Sequence, residues 1–99
     1  MFIADFIDFL FFSIENFNSI PDIINVGLGY DMSIKEYCEE IFSVLNFKGE
    51  LIYDNSKPSG IKRKLMDISR LGNIGWKPKT SLTKGIELTY KYFKSNHEK

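Results

Sequence analysis

Residues 23–54 read IINVGLGYDMSIKEYCEEIFSVLNFKGELIYD, and this stretch decides the fold class. Its first four residues are rich in β-branched side chains and end at Gly27, which predicts a strand. Ser33 and Glu36 have the spacing of a capping box, so a helix should begin there and end near Asn46. Residues 50–54 predict a second strand. Two strands joined by a helix make one parallel βαβ unit, whose crossover is right-handed in nearly all proteins.

Helices are predicted on both sides of this unit. Residues 1–17 carry apolar side chains at helical spacing. Asp67 is placed to cap a short helix that Gly75 ends, and Thr80 or Ser81 caps a last helix that runs to about residue 95. The predicted order is therefore αβαβαα, an α/β fold. It forms one domain over residues 1–99, because a chain of this length has room for only one.

The first helix is apolar around most of its girth. Its main stripe consists of apolar side chains three or four residues apart: Ile3, Phe6 with Ile7, Leu10, Ile14 and Phe17. Four more phenylalanines lie beyond that stripe: Phe2, Phe9, Phe11 and Phe12. Asp5 and Asp8 interrupt the run and no basic residue flanks it, which argues against a signal peptide or a membrane-spanning helix. Such a helix is normally buried between two layers, so we expect a partner, or a part missing from this chain, to cover residues 1–17.

Charge is divided unevenly along a chain whose net charge is zero. Residues 1–54 carry two basic and ten acidic groups, whereas residues 55–99 carry eleven basic and three acidic groups. An anionic ligand should therefore meet the second half of the chain. The 43% of hydrophobic residues is a globular composition and excludes a disordered tail, a collagen-like chain or a disulfide-rich miniprotein.

Motifs of catalysis and of cofactor or metal binding are incomplete in this sequence. Gly27-Leu28-Gly29 follows a predicted strand, but Met32 stands where a dinucleotide-binding loop needs its third glycine. Cys38 falls on the inward face of the capped helix and His97 near the end of the chain. A single cysteine and a single histidine cannot build a zinc site.

Two Tyr-x-x-x-Lys spacings resemble the proton-transfer pair of short-chain dehydrogenases, in which the lysine lowers the pKa of the tyrosine. That chemistry needs a helix, so that both side chains share one face. Tyr53 ends a predicted strand before Lys57, and Tyr90 lies on the inward stripe of the last helix while Lys94 continues toward its end. We interpret both spacings as coincidental.

The best functional candidate is the segment Lys57-Pro-Ser-Gly-Ile-Lys62-Arg63-Lys64, called here the basic loop. Four cations flank a Gly/Pro turn directly after a predicted strand. Arginine offers phosphate oxygens a planar fork and lysine offers them a point charge. The basic loop could therefore hold a diphosphate; a solvated loop without a ligand is the alternative reading.

Three stretches together resemble a known family. They are residues 24–29 with 33–36, residues 54–69 (DNSKPSGIKRKLMDIS), and residues 71–86, which contain GWKPKTSLTKG. They are similar to the C-terminal part of the GDP-L-fucose synthases, extended short-chain dehydrogenases/reductases of the NAD-dependent epimerase/dehydratase family. The Ser-Lys-Pro-x-Gly-x-x-Arg-Lys-Leu stretch is the more specific of these motifs, and the match covers nearly the whole chain.

The resemblance implies a small substrate domain that closes over a separate Rossmann domain, which is absent here. Lys64 falls where the family has a lysine that contacts the GDP phosphates, with Arg63 beside it; Ser59, Lys57 and Lys62 would contribute more weakly. The family usually has Asp in place of Ser59 and Pro in place of Lys62. Loss of that Asp puts the contact to the nucleoside in question, because serine offers no carboxylate to sugar hydroxyls.

The reaction implied for the parent family is the NADP-dependent epimerisation and reduction of GDP-4-keto-6-deoxy-mannose. In that family the Rossmann part supplies the NADP loop and the catalytic Ser, Tyr and Lys, so we expect no catalytic, cofactor or metal site in this chain and no activity from it alone. The expected partners are a GDP-sugar and a Rossmann half, in cis or as a separate chain. We expect a cytoplasmic, truncated or split gene product that binds no nucleic acid, membrane or metal.

Two other functions remain open at this point. The chain could be a non-catalytic interaction module that docks on a partner protein through its Phe-rich first helix. It could also be a fragment of another nucleotide-sugar epimerase or dehydratase with a different base or sugar. Substrate binding needs the basic loop, whereas docking needs only the phenylalanine surface.

Overall fold

A computed structural model describes residues 1–97 of the chain. Helix α1 spans Ile3–Glu15 and is followed by a 3₁₀ turn at Phe17–Ser19; α2 spans Ile34–Leu45, α3 spans Ser69–Asn73 and α4 spans Leu82–His97. The chain divides into two units. The first contains residues 1–30 and 65–82, and the second contains residues 31–64 and α4 from Thr83 onward.

Neither of the two predicted strands is formed within residues 1–97, so the prediction of an α/β fold with a parallel βαβ unit and the order αβαβαα is wrong. A strand exists through its ladder of hydrogen bonds to a neighbouring strand, and residues 23–26 and 50–54 make no backbone ladder. The carbonyl of Ile23 instead accepts a hydrogen bond from Arg70 Nη1 at 3.0 Å. In the second segment Ile52 is 85% exposed. Local β-propensity is present in both segments, but a pairing partner is not.

The first unit has its core where α1 meets the residues around α3. Phe9, Leu71 and Trp76 are buried, and the rings of Phe9 and Trp76 meet edge to face with centroids 5.2 Å apart. Five half-buried apolar residues pack against these three: Phe12, Ile24, Val26, Ile68 and Ile74. Ile24 and Val26 of the first predicted strand therefore pack against the core although no strand forms, whereas Ile23 is exposed.

Helix α1 buries the face opposite the main apolar stripe of its sequence. Phe9 is 5% exposed and Phe12 packs against the core, whereas the main stripe is open to solvent. The exposed residues of that stripe are Ile3, Phe6, Ile7, Leu10, Ile14 and Phe17. Both faces of α1 are apolar, so periodicity alone could not distinguish them. No helix within residues 1–97 has the length and apolar character needed to cross a membrane.

Short-range capping follows the sequence at α2 and differs from it at α3. Asp67 lies one residue before Ile68, the N-cap of α3, and α3 has no side-chain cap, so the predicted cap is not formed. Asp67 Oδ1 instead accepts a hydrogen bond from the backbone N–H of Ser69 at 2.9 Å within a turn. Gly75 has a left-handed φ of +83° shortly after α3. At the start of α2 the backbone N–H of Glu36 donates to Ser33 Oγ at 3.1 Å. The backbone N–H of Ser33 donates in return to Glu36 Oε2 at 2.6 Å, which completes the predicted capping box and lowers the pKa of Glu36.

The second unit covers its apolar residues less completely. On α2, Cys38, Phe42 and Leu45 are half-buried, whereas Ile34 and Ile41 are exposed, so the predicted inward face is only partly correct. Asn46, with a left-handed φ of 51°, ends α2 as predicted. Most side chains of this unit are solvent-accessible.

Candidate functional site

The basic loop lies in the second unit in non-helical backbone, and all eight of its residues are exposed. The two acids that flank it in sequence, Asp54 and Asp67, each accept hydrogen bonds from a serine two residues further on. The hydrogen bond from the Ser56 side chain is the main cause that lowers the pKa of Asp54, and the one from the Ser69 side chain does the same for Asp67. Each acid is thus engaged within its own turn.

Arg63 is held by an acid that is distant in sequence. Its Nε–H donates to Asp31 Oδ2 at 2.6 Å and its Nη2–H donates to Asp31 Oδ1 at 3.0 Å, a two-point contact across 32 residues. The hydrogen bond from Arg63 lowers the pKa of Asp31, and the pKa of Arg63 is raised in return. Both groups therefore carry their charges at neutral pH. Sequence reasoning missed Asp31, because no local pattern connects it to the basic loop.

The other predicted site residues of the basic loop have no protein partner among residues 1–97. Lys57, Lys62 and Lys64 are exposed and make no hydrogen bond or ion pair there, and the same holds for the hydroxyl of Ser59. Exposed ammonium groups on one short segment can contact several phosphate oxygens, each through a charge-assisted hydrogen bond. The roles of these four residues remain predictions.

Two acids of α1 form a second polar cluster that the sequence analysis did not identify. Asp5 is buried and accepts hydrogen bonds from the backbone N–H groups of Lys79 and Thr80, at 3.2 and 2.9 Å, and from Thr80 Oγ1 at 3.0 Å. Asp8 accepts one from Trp76 Nε1 at 2.9 Å. These hydrogen bonds join α1 to the segment that contains the Gly-Trp-x-Pro stretch. The two acids that interrupt the apolar run of α1 therefore have structural partners.

The weaker motifs have structural explanations. Gly29 has a left-handed φ of +79°, and a Cβ at this position would lie 2.5 Å from Ile68 Cδ1. The space beside Gly29 is therefore filled by the side chain of Ile68.

Neither Tyr-x-x-x-Lys spacing forms a proton-transfer pair. Tyr53 and Lys57 lie in non-helical backbone and share no helix face. Lys94 Nζ lies over the ring of Tyr90, 5.6 Å from its centroid, which is a cation–π contact. Within residues 1–97 no group of three or more His, Cys, Asp or Glu side chains is placed to hold a metal ion.

Each unit has a surface cavity that the basic loop does not line. In the second unit an open groove of about 570 Å³ lies between the end of α2, at Val44 and Leu45, and the side chains of Tyr90 and Lys91 on α4. In the first unit a recess of about 300 Å³ is lined mainly by polar groups around Arg70. The candidate binding residues therefore form an exposed surface segment.

The sequence matches no family model. It is 46% identical over 93 residues to the GDP-L-colitose synthase of Yersinia pseudotuberculosis, covering 94% of this chain and 30% of that protein. It is 40% identical over 98 residues to the GDP-L-fucose synthase of Azorhizobium caulinodans, and the match covers 99% of this chain and 31% of that protein. It is 40% identical over 86 residues to the GDP-L-fucose synthase of Escherichia coli, and the match covers 87% of this chain and 27% of that protein. The chain thus spans about 30% of the length of the curated relatives it matches.

Proposed function

Since the chain is homologous along nearly its whole length to the C-terminal part of GDP-L-fucose and GDP-L-colitose synthases, we propose that it forms the GDP-sugar-binding part of an enzyme of this kind. The proposed whole reaction is the NADP-dependent 3,5-epimerisation and 4-reduction of GDP-4-keto-6-deoxy-mannose. This chain contributes substrate binding, and hydride transfer belongs to a separate Rossmann part.

The basic loop is the observation that carries this proposal. Lys57, Lys62 and Lys64 are exposed and have no acidic partner among residues 1–97. Arg63 uses two of its five N–H donors on Asp31 and keeps the others available. A diphosphate is the part of a GDP-sugar that such a group of cations recognises best, and Lys64 is its main proposed contact.

The proposed partner of the chain is the Rossmann half, which in the parent enzyme binds NADP and carries the catalytic Ser, Tyr and Lys. The exposed stripe of α1 supports this part of the proposal, because Ile3, Ile7, Ile14 and Phe17 are each more than 40% exposed. Packing against a second domain would remove these side chains from water and gain roughly 25 cal/mol for each Å² buried. The face of α1 that docks is thus the one opposite Phe9.

A non-catalytic docking module is the second candidate function, and the same exposed stripe of α1 favours it. The two functions make different demands on the molecule. Docking to an unrelated protein does not need the cations of the basic loop, whereas binding of a GDP-sugar does.

Titration of the chain with GDP, followed by NMR, tests the proposal. Lys64→Ala should weaken binding about ten- to hundredfold, the equivalent of roughly 1.5–3 kcal/mol for one charge-assisted contact. Lys48→Ala is the matched control, because Lys48 is exposed in the same unit and makes no hydrogen bond or ion pair within residues 1–97. Equal losses of GDP affinity in the two variants would mean that Lys64 acts only through the general electrostatic field, which would contradict the proposed contact.

Addition of the Rossmann part of a relative tests the remainder of the proposal. The chain alone should not oxidise NADPH with GDP-4-keto-6-deoxy-mannose, and the reconstituted pair should do so. Absence of GDP binding both alone and in the pair would favour the docking module instead.

A further inference from the structure

The basic loop is attached to the rest of the described chain by a single polar contact. Within residues 1–97, the ion pair between Asp31 and Arg63 is the one hydrogen-bonded link between residues 57–64 and any other segment. Asp31 lies three residues before α2, whose start is secured by the capping box of Ser33 and Glu36. The link therefore joins a segment without secondary structure to the defined end of a helix.

The geometry of this pair leaves part of the guanidinium available. Asp31 occupies Nε–H and one N–H of Nη2, so three of the five donors of Arg63 remain on the edges of the plane away from the carboxylate. The side chain of Arg63 is 67% exposed, whereas that of Asp31 is 27% exposed. The acid thus lies on the more covered side, and the remaining donors of Arg63 are open to solvent.

We propose that Asp31 is a positioning residue for diphosphate binding, which it supports by holding the guanidinium of Arg63. This inference rests on the proposed binding of a GDP-sugar by the basic loop. The carboxylate orients the plane of Arg63, so its unused N–H groups are already directed outward when the ligand arrives. Holding Arg63 also restricts the position of Lys64, because Lys64 is the next residue and its Cα atom lies about 3.8 Å from that of Arg63.

Two physical effects favour positioning over competition for Arg63. Four cations within eight residues repel one another, and the Asp31 carboxylate reduces that repulsion before a ligand binds. A loop that is already attached at Arg63 also loses less conformational freedom on binding than an unattached one. Competition between Asp31 and phosphate would predict the opposite result, namely tighter binding once the acid is removed.

A double-mutant cycle on the 99-residue chain, with GDP titrated by NMR, tests the proposal. We expect Asp31→Asn to weaken GDP binding about tenfold, and Arg63→Ala to weaken it by at least as much. The double variant should bind no more weakly than Arg63→Ala alone, because Asp31 acts through Arg63. Asp31→Glu keeps the carboxylate and should recover most of the lost affinity. Glu39→Gln is the matched control: it removes the same charge from an exposed ion pair on α2 and should leave affinity unchanged.

Each alternative outcome is distinct. Additive losses in the double variant, unchanged affinity in Asp31→Asn, or tighter binding in Asp31→Asn would overturn the positioning role while leaving the proposed function in place. Loss of the α2 signals in the spectrum of Asp31→Asn would make the pair a folding element and overturn the role as well. Failure of the unsubstituted chain to bind GDP, both alone and with the Rossmann part of a relative, would remove the proposed function, and this inference with it.

Discussion

Replacement of Asp5 should destabilise the first unit more than any other single charge removal on α1. Asp5 is 6% exposed, and its carboxylate accepts three hydrogen bonds from the segment before α4, two of them from backbone N–H groups. Asp5→Ala deletes all three acceptor contacts and leaves those N–H groups without a protein partner. An unsatisfied buried donor costs roughly 1–3 kcal/mol.

Because the cluster is only partly buried, we expect a total loss of about 2–4 kcal/mol. A domain of this size has a free energy of unfolding of roughly 5–15 kcal/mol. The loss would therefore shift the urea midpoint by about 1–4 M, given a slope of roughly 1–2 kcal/mol/M for a small chain. Trp76 is the only tryptophan of the sequence and packs on Phe9 in the core, so its fluorescence reports unfolding of this unit.

Two matched variants control for charge. Asp8→Ala removes the single hydrogen bond from Trp76 Nε1 and should cost about 1 kcal/mol. Glu15→Ala makes the same charge change at an exposed position of α1 and should be close to neutral. The expected order of destabilisation is Asp5, then Asp8, then Glu15. A midpoint for Asp5→Ala equal to that of Glu15→Ala would refute the reasoning.

Two other predictions concern the surface. Titration of the Asp31 carboxyl by NMR should give a midpoint below its ordinary value of 3.8, and Arg63→Ala should raise that midpoint. Since the folded pKa is the lower one, the stabilising contribution of this pair is present above pH 3.8 and is lost as the pH falls through the folded pKa; an unchanged midpoint in Arg63→Ala would contradict the ion pair in solution. The isolated chain should self-associate through the exposed stripe of α1, and Ile7→Gln with Ile14→Gln should reduce this in light scattering. Phe9→Gln should instead unfold the first unit, because Phe9 is buried; association that persists in the double variant would place the contact elsewhere.

Local features were predictable because both partners of each interaction lie within a few residues. Ser33 and Glu36 form the capping box that their spacing indicates, and Asn46 ends the same helix. Asp67 accepts a hydrogen bond from the N–H of Ser69 two residues away, just before α3. The four cations of the basic loop were likewise visible as a cluster, since charge and sequence proximity alone define it.

Long-range pairing was not predictable, because the second partner lies tens of residues away and no local rule selects it. Asp31 meets Arg63 across 32 residues, and Asp5 meets Thr80 across 75. The faces of α1 illustrate the same limit, since both carry apolar side chains and contact with the distant Leu71 and Trp76 selects the face that contains Phe9.

By itself, the sequence determined where α2 starts and ends, where positive charge accumulates and which family the chain resembles. The tertiary structure alone decided which face of α1 is buried, which acid holds Arg63 and whether the β-prone segments become strands. Residues 23–26 and 50–54 have the side chains of strands, but a strand is completed only by hydrogen bonds to a neighbour. Within residues 1–97 these segments make no such ladder, and Ile24 and Val26 pack against the core of the first unit from irregular backbone.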